Sequence, residues 1–258
     1  MNKLEFWQKE IRRTEELARQ NSPVHSLHPL AKLITTIFFL LTVISFPRAE
    51  VCKMLPLFIY PIFVATAGNI PWGFLLLRML LASPFVVFLA LSSLFFAPAV
   101  YVRLLGVFWP LGLVFALNII LKFALTIIAG ALLLATTGIT QLSRALYCLP
   151  VPRLFVQQIL VLYRYIHVLL IETWHTTRAY SLRSHGRGIR RRVWGPLLGQ
   201  LLIRTLNRCE NIHQAMLGRG FNGLLPVPGQ KDIRVWDVLY MIFFCGLFLI
   251  IRFGVFAV

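Results

Sequence analysis

Long, uninterrupted apolar runs constrain this chain more than any other feature. Residues 30–46, 54–67, 79–102, 111–139 and 235–258 are built almost wholly of aliphatic and aromatic side chains. A helical run of ~20 such residues spans the hydrocarbon core of a bilayer. A backbone surrounded by lipid must satisfy its own hydrogen bonds, which favours helices over open strands. Composition agrees, with 58% of residues hydrophobic and only 14% charged. Globular chains carry about 45–50% apolar and 25% charged residues. A disordered tail, a coiled coil and almost any soluble domain are therefore excluded.

The few charges are lopsided. Lys plus Arg number 26 against 9 Asp plus Glu, a net +17. In a soluble chain this would suggest nucleic acid, but in a membrane chain it marks loops retained in the cytoplasm. Residues 140–234 hold 14 of the cations against Glu172, Glu210 and Asp232, a net +11. Residues 1–29 are polar and of mixed charge, so they read as a cytoplasmic leader with a short amphipathic helix and not as a secretory signal. The expected order is a cytoplasmic leader (1–29), transmembrane helices 1–4 (30–139), a cytoplasmic region of helices (140–234) and a last span (235–258). The fold class is an all-α integral membrane protein of about five transmembrane helices, plus long amphipathic cytoplasmic helices. Six spans result if two short ones meet at Lys122, a cation in the middle of a long run. The other reading of Lys122 is contact with a carboxylate or a helix end, since lipid exposure of the ammonium is costly. Pro56 and Pro61 predict a kinked or tilted second span.

Within 140–234, apolar residues recur at helical spacing. Thr140 suits an N-cap, and Pro152 can open a helix to about Ser184. Pro196 suits the first turn of another, and Gly220 can end it in a left-handed conformation. Two of these helices end alike. Ala179 precedes Arg183 by four residues, and Ala215 precedes Arg219 by four, with Gly218 and Gly220 flanking the second arginine. An i, i+4 pair shares a helix face, a small residue admits close approach, and a terminal arginine is favoured by the helix dipole. Two planar guanidinium forks on separate rods could dock a two-fold partner.

Other chemistry is sparse. No phosphate-binding loop occurs, and Gly229-Gln230-Lys231 lacks both the upstream glycine and the hydroxyl residue. No convergent acid, base or nucleophile supports an intramembrane enzyme, so the chain is expected to be non-catalytic and without cofactors. Cys52, Cys148, Cys209 and Cys245 are scattered and read as inert. His25 and His28 are three apart, with His167, His175, His185 and His213 further on, but no Cys or carboxylate completes a metal site. The 187–192 basic cluster reads as a positive-inside anchor on the lipid bilayer, not as a nucleic-acid patch. A self-sufficient secondary transporter or channel is the competing reading, because Lys122 and the proline-broken second run could line a pathway. No inverted repeat and almost no intramembrane acid accompany them.

Four stretches carry a resemblance. They are Ser22-Pro23-Val24-His25-Ser26-Leu27-His28-Pro29 with Ala31-Lys32-Leu33; Leu134-Ala135-Thr136-Thr137 with Leu149-Pro150-Val151-Pro152; Tyr163-Arg164-Tyr165 with Glu172; and Arg204-Thr205-Leu206-Asn207-Arg208 leading into Ala215-Met216-Leu217-Gly218-Arg219-Gly220-Phe221-Asn222-Gly223. Together they resemble the transmembrane (T) component of energy-coupling factor importers, the cobalt/nickel-type permease subunit most closely. That family carries two Ala-Arg-Gly-type signatures at the ends of cytoplasmic coupling helices. The second corresponds to Gly218-Arg219-Gly220, with Gly where Ala is usual. The first corresponds to Leu182-Arg183-Ser184, with Gly186-Arg187-Gly188 as the alternative. The resemblance implies a scaffold in a bacterial or archaeal cytoplasmic (inner) membrane, N-terminus inside. It would join a cytoplasmic ATPase subunit dimer to a membrane substrate-binding (S) subunit. Arg183 and Arg219, or Arg187 in place of Arg183, would grip the ATPases. The cargo would be cobalt, with nickel or a vitamin as alternatives, and a metal cargo would bind the S subunit.

Overall fold

The computed structural model describes residues 15–18, 20, 22–47, 51–96, 101–104, 107–185, 191–223 and 234–254. The chain divides into two units. One comprises residues 14–145 and 231–258, and the other 1–13 and 146–230.

In the larger unit a helical turn at 15–18 is followed by a one-turn helix, α1 (Pro23–Ser26), capped by the Ser22 hydroxyl, which accepts from the His25 N–H. α2 (Pro29–Ser45) starts at Pro29, where a missing N–H costs nothing, and His28 Nδ1 caps it by accepting from Leu30 N–H. A 3-10 segment (Cys52–Phe58) contains Pro56 and runs into α3 (Ile59–Ala67). The expected irregular second span is thus a tight turn continued by a short helix. A turn at 68–71 opens α4 (Trp72–Phe96). This helix begins about two turns before the expected boundary at residue 79, because Pro71 starts it. Arg78 therefore lies inside the helix, its guanidinium 5.0 Å above the Phe74 ring. Pro84 sits mid-helix and cannot donate to Leu80. The Ser83 hydroxyl donates to the Leu80 carbonyl instead, at 2.9 Å.

A short antiparallel pair, β1 (Tyr101–Leu104) and β2 (Val107–Pro110), follows, with Tyr101 opposite Pro110. The periodicity gave no hint of it, since its Tyr, Val, Phe and Trp are as much at home in an apolar run as in a strand. α5 (Leu111–Tyr147) is helical through Lys122 and breaks at Gly138, whose φ of +65° and ψ of 156° leave the helical region. The fourth apolar run is therefore one continuous helix to Thr137, and the two-span reading at Lys122 is excluded. The last helix, α8 (Val235–Gly254), closes the unit.

An aromatic hub holds α2, α3 and α8 together. Phe39 is fully buried, with its ring centroid 4.8 Å from Tyr60 and 5.3 Å from Phe248. Tyr60 meets Phe244 and Phe248 edge-on at 5.1 and 5.3 Å. Such pairs add about 0.5–1.5 kcal/mol each beyond burial. Elsewhere the unit shows bare apolar surface, as on α4 at Leu80, Phe85, Phe88 and Phe95. That surface suits lipid, not water.

The smaller unit consists of α6 (Arg153–Arg183) and α7 (Arg191–Leu217), packed against each other. α6 follows Pro152 as expected. α7 starts at Arg191, five residues before Pro196, which lies just past the first turn and removes a single intrahelical bond. By length and composition α4, α5, α6 and α8 are long and apolar enough to cross a membrane, while α2 and the 53–67 helix are shorter. The chain is an all-α membrane protein with one small hairpin. α6 belongs to the region whose charge suggested cytoplasm, yet it is apolar enough to span.

Candidate functional site

α6 holds 31 residues, about 46 Å at roughly 1.5 Å per residue. Arg183 is its final residue. The Ser184 N–H donates to the Tyr180 carbonyl at 2.9 Å, and His185 takes a positive φ of 53° that turns the chain away. Ala179 and Arg183 are both exposed. Leu182, beside the arginine, is 74% exposed.

α7 holds 27 residues, about 40 Å by the same rise. Its end is a complete Schellman motif. Phe221 N–H donates to the Met216 carbonyl at 3.0 Å and Gly220 N–H to the Leu217 carbonyl at 2.9 Å. Gly220 adopts the left-handed conformation, φ +79°. Arg219 is the cap residue itself, and Ala215, Gly218, Arg219 and Gly220 are all exposed. The two arginines thus share an end-of-rod position but differ in register. Arg183 stands two residues before its left-handed residue, and Arg219 one. Neither has an ion pair or side-chain hydrogen bond among the described residues. Arg187 lies outside the described residues.

The two rods are braced side by side. Arg204 of α7 forms an ion pair with Glu172 of α6, their side chains 53% and 30% exposed. Both residues belong to stretches that carried the resemblance, but nothing in the sequence pairs them across 32 positions. At this exposure such a pair contributes about 0.2–1 kcal/mol, so its value lies in registry. Arg178 stacks over Trp174 on the same helix at 4.8 Å, a second local brace. The structure therefore brings Glu172 and Arg204 together and leaves both terminal arginines projecting.

The profile of the CbiQ family, described as cobalt transport protein, matches residues 20–231, which include all four resembling stretches. The chain belongs to the CbiQ cobalt transport protein family. A segment of 135 residues is also 26% identical to an uncharacterized protein of Methanocaldococcus jannaschii, covering 51% of this chain. The match covers 46% of that relative, so the chain spans less than half its length.

Two polar devices in the larger unit escaped the sequence reading, and a third, at Lys122, answers a question it left open. Asp237, only 4% exposed, accepts from the His28 N–H at 2.7 Å and from the Arg234 N–H at 2.8 Å. One carboxylate thus caps the N-termini of α2 and α8 together. An acid in the first turn of an apolar helix was the available signal. Lys32, 3% exposed, donates Nζ to the Thr136 carbonyl at 3.0 Å. That carbonyl loses its intrahelical partner to the break at Gly138, and a cation suits the negative end of a helix. His25 lies alongside, its Nδ1 2.7 Å from the Ser22 hydroxyl. Burial, and secondarily the Lys32 charge, holds the His25 pKa below the usual imidazole value, although the Ala135 and Leu17 carbonyls act oppositely. Lys122 donates to the Phe46 carbonyl at 2.7 Å and the Ile44 carbonyl at 3.4 Å, at the C-terminal end of α2. Its partner is a helix end, one of the two readings the sequence left open. Among the described residues no three His, Cys, Asp or Glu side chains gather into a metal-binding group.

Proposed function

We propose that this CbiQ-family chain is the T component of an energy-coupling factor importer for cobalt. It acts as a non-catalytic scaffold that passes ATP-driven motion from a cytoplasmic ATPase pair to a membrane-embedded S subunit. It works in a bacterial or archaeal cytoplasmic membrane with its N-terminus inside. The observation carrying this reading is that α6 and α7 each end in an exposed arginine, held at the tip of a long rod by a defined cap. A helix keeps its length under load, so a displacement at the tip is transmitted to its other end. A guanidinium at the tip offers five donors in a planar fork to carboxylates and carbonyls of a partner groove. The Glu172–Arg204 pair supports the same reading, because two rods in fixed register move as one lever. Lys122, which favoured a transport pathway within the chain, is engaged on the end of α2.

Co-purification with the cognate ATPases and cobalt uptake in the complete importer test this. Truncating or reversing a buried interface charge costs about 2–5 kcal/mol. Arg183→Glu and Arg219→Glu are expected to weaken assembly singly and to abolish assembly and uptake together. A double variant that assembles and imports cobalt like the wild type overturns the proposal. If Arg183→Glu is silent while Arg187→Glu is not, the first tip moves to Arg187.

A further inference from the structure

We propose that Cys209 and His213 of α7 form a two-ligand site for a divalent transition-metal ion of the cobalt, nickel and zinc class. The sequence reading took Cys209 for an inert thiol and His213 for a histidine without a completing ligand. The two are four residues apart, and both lie within α7 (Arg191–Leu217). Residues four apart stand on one helix face, their Cβ atoms about 5–6 Å from each other. Helical side chains lean towards the N-terminus, so a histidine at the second position leans back towards the first. An ion about 2.0–2.1 Å from an imidazole nitrogen and about 2.3 Å from a thiolate sulfur fits between two such side chains.

Both side chains are exposed, so an ion can arrive from water and keep water in its remaining positions. Neither makes an ion pair, hydrogen bond or ring contact with another described residue. Among the described residues no third His, Cys, Asp or Glu joins them, so the site is open. Exposed Arg208 and Glu210 flank Cys209 with opposite charges, and their fields largely cancel at the thiol. Cys52, Cys148 and Cys245 have no histidine three or four residues away. His25 and His28 are three apart, but His28 Nδ1 caps α2 and His25 Nδ1 lies against Ser22.

The donor set decides the class of ion. One imidazole nitrogen and one thiolate sulfur suit cobalt(II), nickel(II) and zinc(II), whereas magnesium and calcium take oxygen. On binding, the thiol loses its proton to water and its sulfur lone pair bonds the metal, whose oxidation state is unchanged. An ion held by both side chains staples one turn of α7, six residues before Arg219. The site follows from helix geometry and not from the importer reading, so either can fail alone.

The test is a cobalt(II) titration of the full chain in detergent, reduced and stripped of metal. The readout is the thiolate-to-cobalt charge-transfer band in the near ultraviolet. Wild type is expected to saturate that band at one equivalent. Cys209→Ser should remove it, and Cys148→Ser should leave it unchanged. His213→Gln should weaken the apparent affinity by at least about ten-fold, since losing even a group that merely orients a ligand costs that much. All three substitutions fall at exposed positions, and matched melting midpoints verify that the fold is kept. No band in wild type, a band surviving Cys209→Ser, a band lost with Cys148→Ser, or an affinity unchanged in His213→Gln each overturns the site.

Discussion

Replacing Asp237 with alanine gives the sharpest test of how the larger unit is held together. The carboxylate is 4% exposed and accepts two backbone N–H groups, from His28 at 2.7 Å and Arg234 at 2.8 Å. The two donors sit at the starts of α2 and α8, where N–H groups have no partner within the helix. Alanine leaves both without an acceptor, and each orphaned donor costs about 1–3 kcal/mol. The two together cost about 2–6 kcal/mol, and releasing the buried charge returns part of this, so the expected net loss is about 2–4 kcal/mol. For a chain of this size each kcal/mol corresponds to roughly 2–4 °C, so the midpoint should fall by about 4–16 °C. Thermal unfolding of wild type and variant in one detergent measures it. Asp237→Asn keeps the shape but turns an amide N–H₂ towards one of the two donors, so at least one bond is lost, at about 1–3 kcal/mol. If Asp237→Ala melts within ~2 °C of the wild type, the carboxylate does not hold the two helix starts together, and the capping argument fails.

Other outcomes follow from the same structure. On α7, Gly220→Ala and Gly199→Ala should have opposite signs. Gly220 has φ +79° with open space at its Cβ position, so alanine adds only backbone strain, about 1–2 kcal/mol. Gly199 is mid-helix with nothing within 4 Å, so alanine should stabilise by about 0.5–1 kcal/mol, and the two melting shifts check this. The His25 pKa is lowered by folding, so the neutral form is favoured in the native state. Its stabilisation is present above the unfolded imidazole pKa and drains away as pH falls through it towards the folded value. Wild type should therefore lose more stability than His25→Gln on going from neutral to acidic pH, and equal slopes would refute this. A double-mutant cycle of Glu172→Gln and Arg204→Gln should return a coupling of about 0.2–1 kcal/mol that shrinks in high salt.

Much of the architecture was readable in the residues because membrane constraints act locally. An apolar run must be helical, Pro152 must begin a helix and not continue one, and Gly220 is the residue type for a left-handed end. The helix ends bearing Arg183 and Arg219 were legible for the same reason, since capping depends on neighbours a few positions away. The start of α4 was missed because Pro71 and Trp72 fit a loop or a helix equally well. The hairpin at 101–110 was missed because its residues match two states at once. The role of Lys122 was open because a cation inside an apolar run needs a partner, and nothing local says which.

From the sequence alone came the membrane class, most of the helices, the basic region and the two arginine-tipped helices, each fixed by neighbours along the chain. Only the tertiary structure decided which polar groups meet. Glu172 met Arg204, Asp237 met His28 from 209 positions away, and Lys32 met the carbonyl freed by Gly138 from 104 away. The reason is that a buried charge must find a partner, but the partner can stand anywhere the packed helices bring it, and sequence spacing carries no record of that encounter.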